Sequence, residues 1–117
     1  MITFASATGI FLSSRPVDFR KQFDGLCGEV LDFMGKNPQD GSLFVFYNKR
    51  RDRMKLLWWQ ADGFWLFYKR LEAGTFQVPQ NNDKTKSIDL TADELHLIIS
   101  GIDLASVKRR KRYSMVA

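Results

Sequence analysis

The chain has 117 residues, 44% hydrophobic and 14% aromatic, which is enough apolar material for one compact core. Lys+Arg 18 against Asp+Glu 13 leaves a formal charge of +5, a surplus that concentrates polyanions, nucleic acid first among them. A single cysteine, Cys27, excludes an intramolecular disulfide; the apolar stretch from Met1 to Ser14 is too short to span a bilayer and nothing resembles a secretory leader, so a cytoplasmic protein with no membrane partner is expected.

Ile10 to Ser13 is the first strand candidate, bounded by Gly9 and by Ser14-Arg15-Pro16. Behind it, Phe19, Phe23, Leu26, Cys27, Val30 and Phe33 recur at the spacing of one helical face, with Asp18 as the expected N-cap and Gly35 with Asn37-Pro38 as the stop. Gly25 and Gly28 inside this helix suggest a backbone lying close against the following sheet.

Strand-like runs follow at Ser42 to Tyr47, Met54 to Gln60 and Phe64 to Arg70. Asp62-Gly63 predicts a tight hairpin in which Trp59 opposes Leu66 and Trp58 opposes Phe67. Leu57, Trp59, Leu66 and Tyr68 then share one face, with Lys55 and Arg70 at its rim, while Leu56, Trp58, Trp65, Phe67 and Lys69 share the other. The first helix is expected to cover the Leu57/Trp59 face. The Trp58, Trp65, Phe67 face is expected to stay partly exposed as a protein interface, because two helices scarcely cover both sides of a sheet.

A short strand is expected from Thr75 to Val78, then a polar loop from Gln80 to Lys86. Thr91 and Glu94 fit a capping box, Leu90 and Leu95 a hydrophobic staple, and Gly101 a helix end. The expected fold is α+β: an antiparallel β-meander of about four to five strands on two helices. Residues 1–107 form its single domain and residues 108–117 a basic tail.

The blocks Asp18-Phe19-Arg20-Lys21-Gln22-Phe23-Asp24-Gly25-Leu26, Leu43-Phe44-Val45-Phe46, Lys49-Arg50-Arg51, Lys55-Leu56-Leu57-Trp58-Trp59, Gly63-Phe64-Trp65-Leu66 and Tyr68 to Phe76 stand in a fixed order. With Leu90-Thr91, Glu94-Leu95 and Gly101-Ile102-Asp103, they resemble the short accessory proteins, called TnpB or Orf2, of the insertion-sequence sixty-six family of transposable elements. Gln60 departs from the acidic residue that usually follows the paired tryptophans, and Val78 from a common aromatic. The resemblance implies a role in transposition beside a separate transposase that carries the catalytic carboxylates.

Turn and cap chemistry accounts for the aspartates, and His96 and Cys27 stand alone, so no catalytic residue, metal site or cofactor is expected. Arg20 can pair with Asp24 four residues on, or extend a basic surface with Arg15 and Lys21. The expected nucleic-acid contacts are Lys49, Arg50, Arg51, Arg53, Lys55, Lys69 and Arg70, together with the tail residues Lys108, Arg109, Arg110, Lys111 and Arg112. DNA is thus the expected partner. The alternative is an assembly subunit that docks the cognate transposase or another element-encoded protein, or pairs with itself, and makes no direct DNA contact.

Overall fold

In the computed structural model, residues 4–79 and 85–101 are described. Strands β1 (Ile10–Ser13), β2 (Leu43–Tyr47), β3 (Arg53–Gln60), β4 (Gly63–Arg70) and β5 (Ser87–Asp89) form one sheet in the order β4-β3-β2-β1-β5. Helix α1 (Phe23–Gly28) continues into a π-helical turn, Glu29–Phe33, and α2 spans Ala92–Ser100. The α+β architecture is as expected. The sheet is mixed, however: β1 runs parallel to β2, since the crossover through α1 returns the chain in the same direction.

Both sides of the sheet are packed. Phe44, Phe46 and Leu57 face α1 and the π turn, where Val17, Leu26, Val30 and Met34 complete a core with Phe64 and Leu66 at its margin. This is the face expected under the first helix. On the other side, Ile10, Leu12, Leu43, Val45, Met54, Leu56 and Trp58 pack against Leu95 and Ile98 of α2, and irregular chain supplies the rest of the cover: Phe4, Phe76, Val78 and Leu90.

Four expectations need correction. The first helix begins at Phe23 rather than Phe19, and Asp18 is not its cap: Asp18 Oδ1 accepts from the Arg20 backbone N–H at 2.9 Å, which closes a local turn instead. The glycines do not face the sheet. A Cβ at Gly25 would meet the Lys21 side chain at 2.9 Å, and one at Gly28 would have only Asp32 at 4.0 Å, while Leu26 and Val30 make the contact with the sheet.

The β3–β4 turn is Ala61-Asp62, with Ala61 at φ +60° and Gly63 already paired to Gln60. Trp58 therefore opposes Trp65, and Trp59 opposes Phe64. Relative to an Asp62-Gly63 turn the pairing moves by two residues, and because side chains alternate with period two, each keeps its expected face. Finally, Thr75 to Val78 is not a strand: the Phe76 N–H is bound to the Arg51 carbonyl at 2.7 Å, and Phe76 and Val78 insert into the core. The fifth strand is Ser87–Asp89, just beyond the expected loop, paired antiparallel to β1. Most of that loop, Gln80 to Lys84, lies outside the described residues.

Candidate nucleic-acid interface

The β2–β3 connection is a short loop with its own internal framework. The Asn48 side chain accepts from the backbone N–H groups of Asp52 and Arg53, each at 3.0 Å, and its amide donates to Asp52 Oδ1 at 2.6 Å. Arg51 adopts φ +60°, a left-handed conformation that reverses the chain, and its carbonyl is held by Phe76. The Asp52 carbonyl accepts from Leu71 N–H at 2.8 Å, which ties the loop to the end of β4. The tip residues Lys49 and Arg50 are consequently projected from a fixed backbone, both exposed.

Their electrostatic state differs from that of four other described cations. Arg15 and Lys21 converge on Glu29 at 3.3 and 2.8 Å. Burial pushes the Glu29 carboxyl up, but these two cations outweigh that and hold it below the usual range. Arg20 pairs with Asp18 at 2.6 Å rather than with Asp24, because it precedes the helix and no i,i+4 geometry exists there. Arg70 pairs with Glu72 at 2.8 Å. Lys49 and Arg50 make no ion pair or hydrogen bond among the described residues. Beneath them lies a shallow cleft of about 300 Å³ between the loop and the Val17-Asp18-Phe19 segment, with Asn48, Asp52 and Arg53 in its wall.

The remaining expected contacts are scattered. Arg53 is half-buried and donates to the Tyr68 hydroxyl at 3.1 Å. Arg51 lies 6.0 Å from the Tyr47 ring. Lys69, near the C-terminal end of β4 and paired with Met54, donates to the Ile99 carbonyl at 3.3 Å. Lys55 is not on the rim. Its side chain is fully buried beneath the Phe19 segment, where Nζ donates to the carbonyls of Phe19 at 2.9 Å and Lys21 at 2.7 Å and sits 5.0 and 5.1 Å from the Phe19 and Tyr68 rings. Burial pushes its pKa below the ordinary lysine value. The tail from Lys108 to Arg112 lies outside the described residues.

Of the tryptophans expected at a protein interface, Trp58 is buried, with Nε1 donating to the Gly41 carbonyl at 3.1 Å, because Phe4 and α2 close over it. Trp65 is 55% exposed and stacks on half-buried Phe67 at 6.0 Å. Gln60 Oε1 accepts from Trp65 Nε1 at 3.1 Å, a role open equally to a carboxylate.

One feature escaped the sequence reading. Arg15 stacks 3.7 Å above the Phe33 ring, with Lys86 at 4.9 Å from it, and Lys36 stands 4.0 Å from the Phe11 ring. These three cations come from three separate segments, after β1, after the π turn and before β5, so no local run of charge signals them. Among the described residues no group of three or more His, Cys, Asp or Glu side chains is placed to hold a metal ion, and no helix is long and apolar enough to cross a membrane.

The sequence matches the IS66 Orf2-like protein family over residues 8–109. The chain belongs to that family. It is therefore an accessory protein associated with insertion sequences, and the family is not a known catalytic one. It is 36% identical to the uncharacterized protein y4jC of Sinorhizobium fredii over 110 residues, 92% of each chain. It is 32% identical to the uncharacterized protein y4hO of the same organism over 94 residues, 80% of each chain. No solved structure matches it.

Proposed function

We propose that this IS66 Orf2-like protein acts in transposition by binding element DNA through the β2–β3 loop, with no chemical step of its own. The observation that carries the reading is the contrast in pairing: four cations are matched to carboxylates, whereas Lys49 and Arg50 stand exposed and unmatched on a loop braced by Asn48. Unmatched cations on a fixed backbone release condensed counterions from DNA without first breaking an internal ion pair. The basic tail from Lys108 to Arg112 adds charge to the same purpose.

The test is binding of element-end DNA across a salt series. Lys49→Glu with Arg50→Glu should weaken binding and flatten the salt dependence by about two phosphates' worth of slope, and removal of residues 108–117 should flatten it further. Unchanged affinity and slope in both variants would sink the reading. A second reading, an assembly subunit that docks the transposase and leaves DNA alone, is favoured by exposed Trp65. Pull-down of the purified transposase by the wild-type chain but not by Trp65→Lys, with no DNA binding by either, is its signature.

A further inference from the structure

Strand β4 is the edge of the sheet, and its chemistry is unusual for an edge. Natural edges carry lysine, proline or a bulge to discourage further pairing. From Phe64 through Tyr68, β4 has no charge and no proline, and Trp65 and Tyr68 are 55% and 49% exposed. The outward backbone groups can be assigned. Leu71 N–H bonds to the Asp52 carbonyl across the hairpin, so odd-numbered residues of β4 point their amides toward β3 and even-numbered residues point theirs away. The outward set includes Phe64, Leu66 and Tyr68, whose backbone groups have no partner beyond β4 among the described residues.

The residues of β4 are also chemically symmetric about Leu66. One step out on either side are Trp65 and Phe67 and two steps out Phe64 and Tyr68; Gly63 and Lys69 at the third step do not match, and at the fourth Asp62, in the turn just before β4, and Arg70 are of opposite charge. An antiparallel partner of identical sequence, centred on Leu66, brings even-numbered residues opposite even-numbered ones. That is the parity needed for the outward N–H and C=O groups to bond each other. In this register aromatic meets aromatic in the two nearest flanking pairs, Trp65 opposite Phe67 and Phe64 opposite Tyr68, Gly63 stands opposite Lys69, and at each end Asp62 meets Arg70, which would share its guanidinium between Asp62 and its own Glu72.

We infer that this protein forms a two-fold dimer through β4, paired antiparallel with β4 of a second copy about Leu66, so that two five-stranded sheets join as one. A C2 interface requires one surface to complement itself, and the Leu66-centred pattern does so in both shape class and charge. An unrelated strand would meet the backbone groups equally well but would have no reason to match the Asp62 and Arg70 ends at once. The dimer does not depend on the loop at Lys49 and Arg50, which lies in the β2–β3 connection rather than on the outer edge of β4.

Sedimentation equilibrium on the full chain, together with amide exchange at several concentrations, tests the dimer. The wild type is expected to be dimeric, with the amides of Phe64, Leu66 and Tyr68 protected only where dimer is populated and those of Trp65 and Phe67 protected throughout. Trp65→Lys, at an exposed position, should retain the folded circular dichroism spectrum and weaken the dimer by about tenfold or more. Asp62→Arg should weaken it by about tenfold, and Asp62→Arg combined with Arg70→Asp should recover most of the loss. A monomeric wild type overturns the proposal, as does a dimer indifferent to these substitutions. Protection of the three outward amides at every concentration would mean that the chain covers its own edge, and protection only on adding transposase would mean a different partner; either result also overturns it.

Discussion

An ammonium group that leaves water needs other acceptors, and Lys55 has two backbone carbonyls and two aromatic faces in place of a carboxylate. The arrangement serves the segment as much as the lysine: it holds the Phe19 and Lys21 carbonyls against the sheet, and the helix starts only beyond them. Truncation to alanine removes the buried stem and strands both carbonyls, so Lys55→Ala should destabilise the fold by about 2–4 kcal/mol in urea unfolding. Lys55→Met restores the packing but not the acceptors' partner and should cost less, about 1–3 kcal/mol. Equal losses for the two would mean that the stem, not the ammonium, matters.

Asp18 gives the acid-side counterpart. The hydrogen bond from the Arg20 side chain, followed by the Arg20 backbone N–H, lowers its pKa from 3.8 to about 2. A carboxyl with a depressed folded-state pKa contributes stability above its unfolded value and loses it as the pH falls through the folded one. The contribution is thus present above about pH 4 and fades toward pH 2, and solvent screening at this exposed site keeps it small. Asp18→Asn should flatten the stability profile in that window and leave it parallel to wild type at neutral pH. An unchanged acid profile would show that the pair with Arg20 does not form in solution.

Among the elements, α2 and the β3–β4 hairpin show how far sequence signals reach. The Thr91/Glu94 capping box is formed, with Glu94 N–H on Thr91 Oγ1 at 3.1 Å and Thr91 N–H on Glu94 Oε1 at 2.9 Å, and Gly101 ends the helix at φ +86°. Thr91→Ala should therefore cost about 1 kcal/mol. In the hairpin the non-glycine Ala61 occupies the left-handed region, so Ala61→Gly should raise stability by about 1 kcal/mol, measured by the denaturation midpoint. A loss would mean that the turn relaxes to another geometry.

These two elements were legible because caps and alternation are local. The start of α1 was not, since the competitor for its first carbonyls, Lys55, lies 34 to 36 residues away in sequence. Nor was β5 legible: Ser87–Asp89 is short and polar and becomes a strand only because β1 has a free edge there. For the candidate site, the loop from Lys49 to Arg53 could be read as a run of charge, but burial of Lys55 and the gathering of Arg15, Lys36 and Lys86 around Phe11 and Phe33 depend on tertiary placement.

At the scale of the whole molecule, a sheet with aromatic residues on both faces needs two covers, and only one of them is a contiguous helical segment. The second is assembled from α2, the Phe76–Val78 segment, Leu90 and the N-terminal Phe4, which meets Trp58, Phe67 and His96 within about 6 Å. A cover made of pieces is sensitive at each piece. Phe4→Ala should cost about 3 kcal/mol or more, as for a fully buried core phenylalanine, and should expose Trp58, visible as a red shift and easier quenching of its fluorescence. A loss below about 1 kcal/mol would mean that the first residues are dispensable to the core.

The even displacement between the two hairpin registers bears on how such a chain can vary over descent. Deleting or duplicating a residue pair at the Ala61-Asp62 turn leaves every β4 side chain on its own side of the sheet, so length changes by two should be inherited quietly. A single-residue insertion within β4 would exchange Trp65 and Phe67 with Leu66 and Tyr68, unless a bulge absorbed it. Gaps that survive in this hairpin should therefore come in pairs, and unpaired ones should bring a glycine with them.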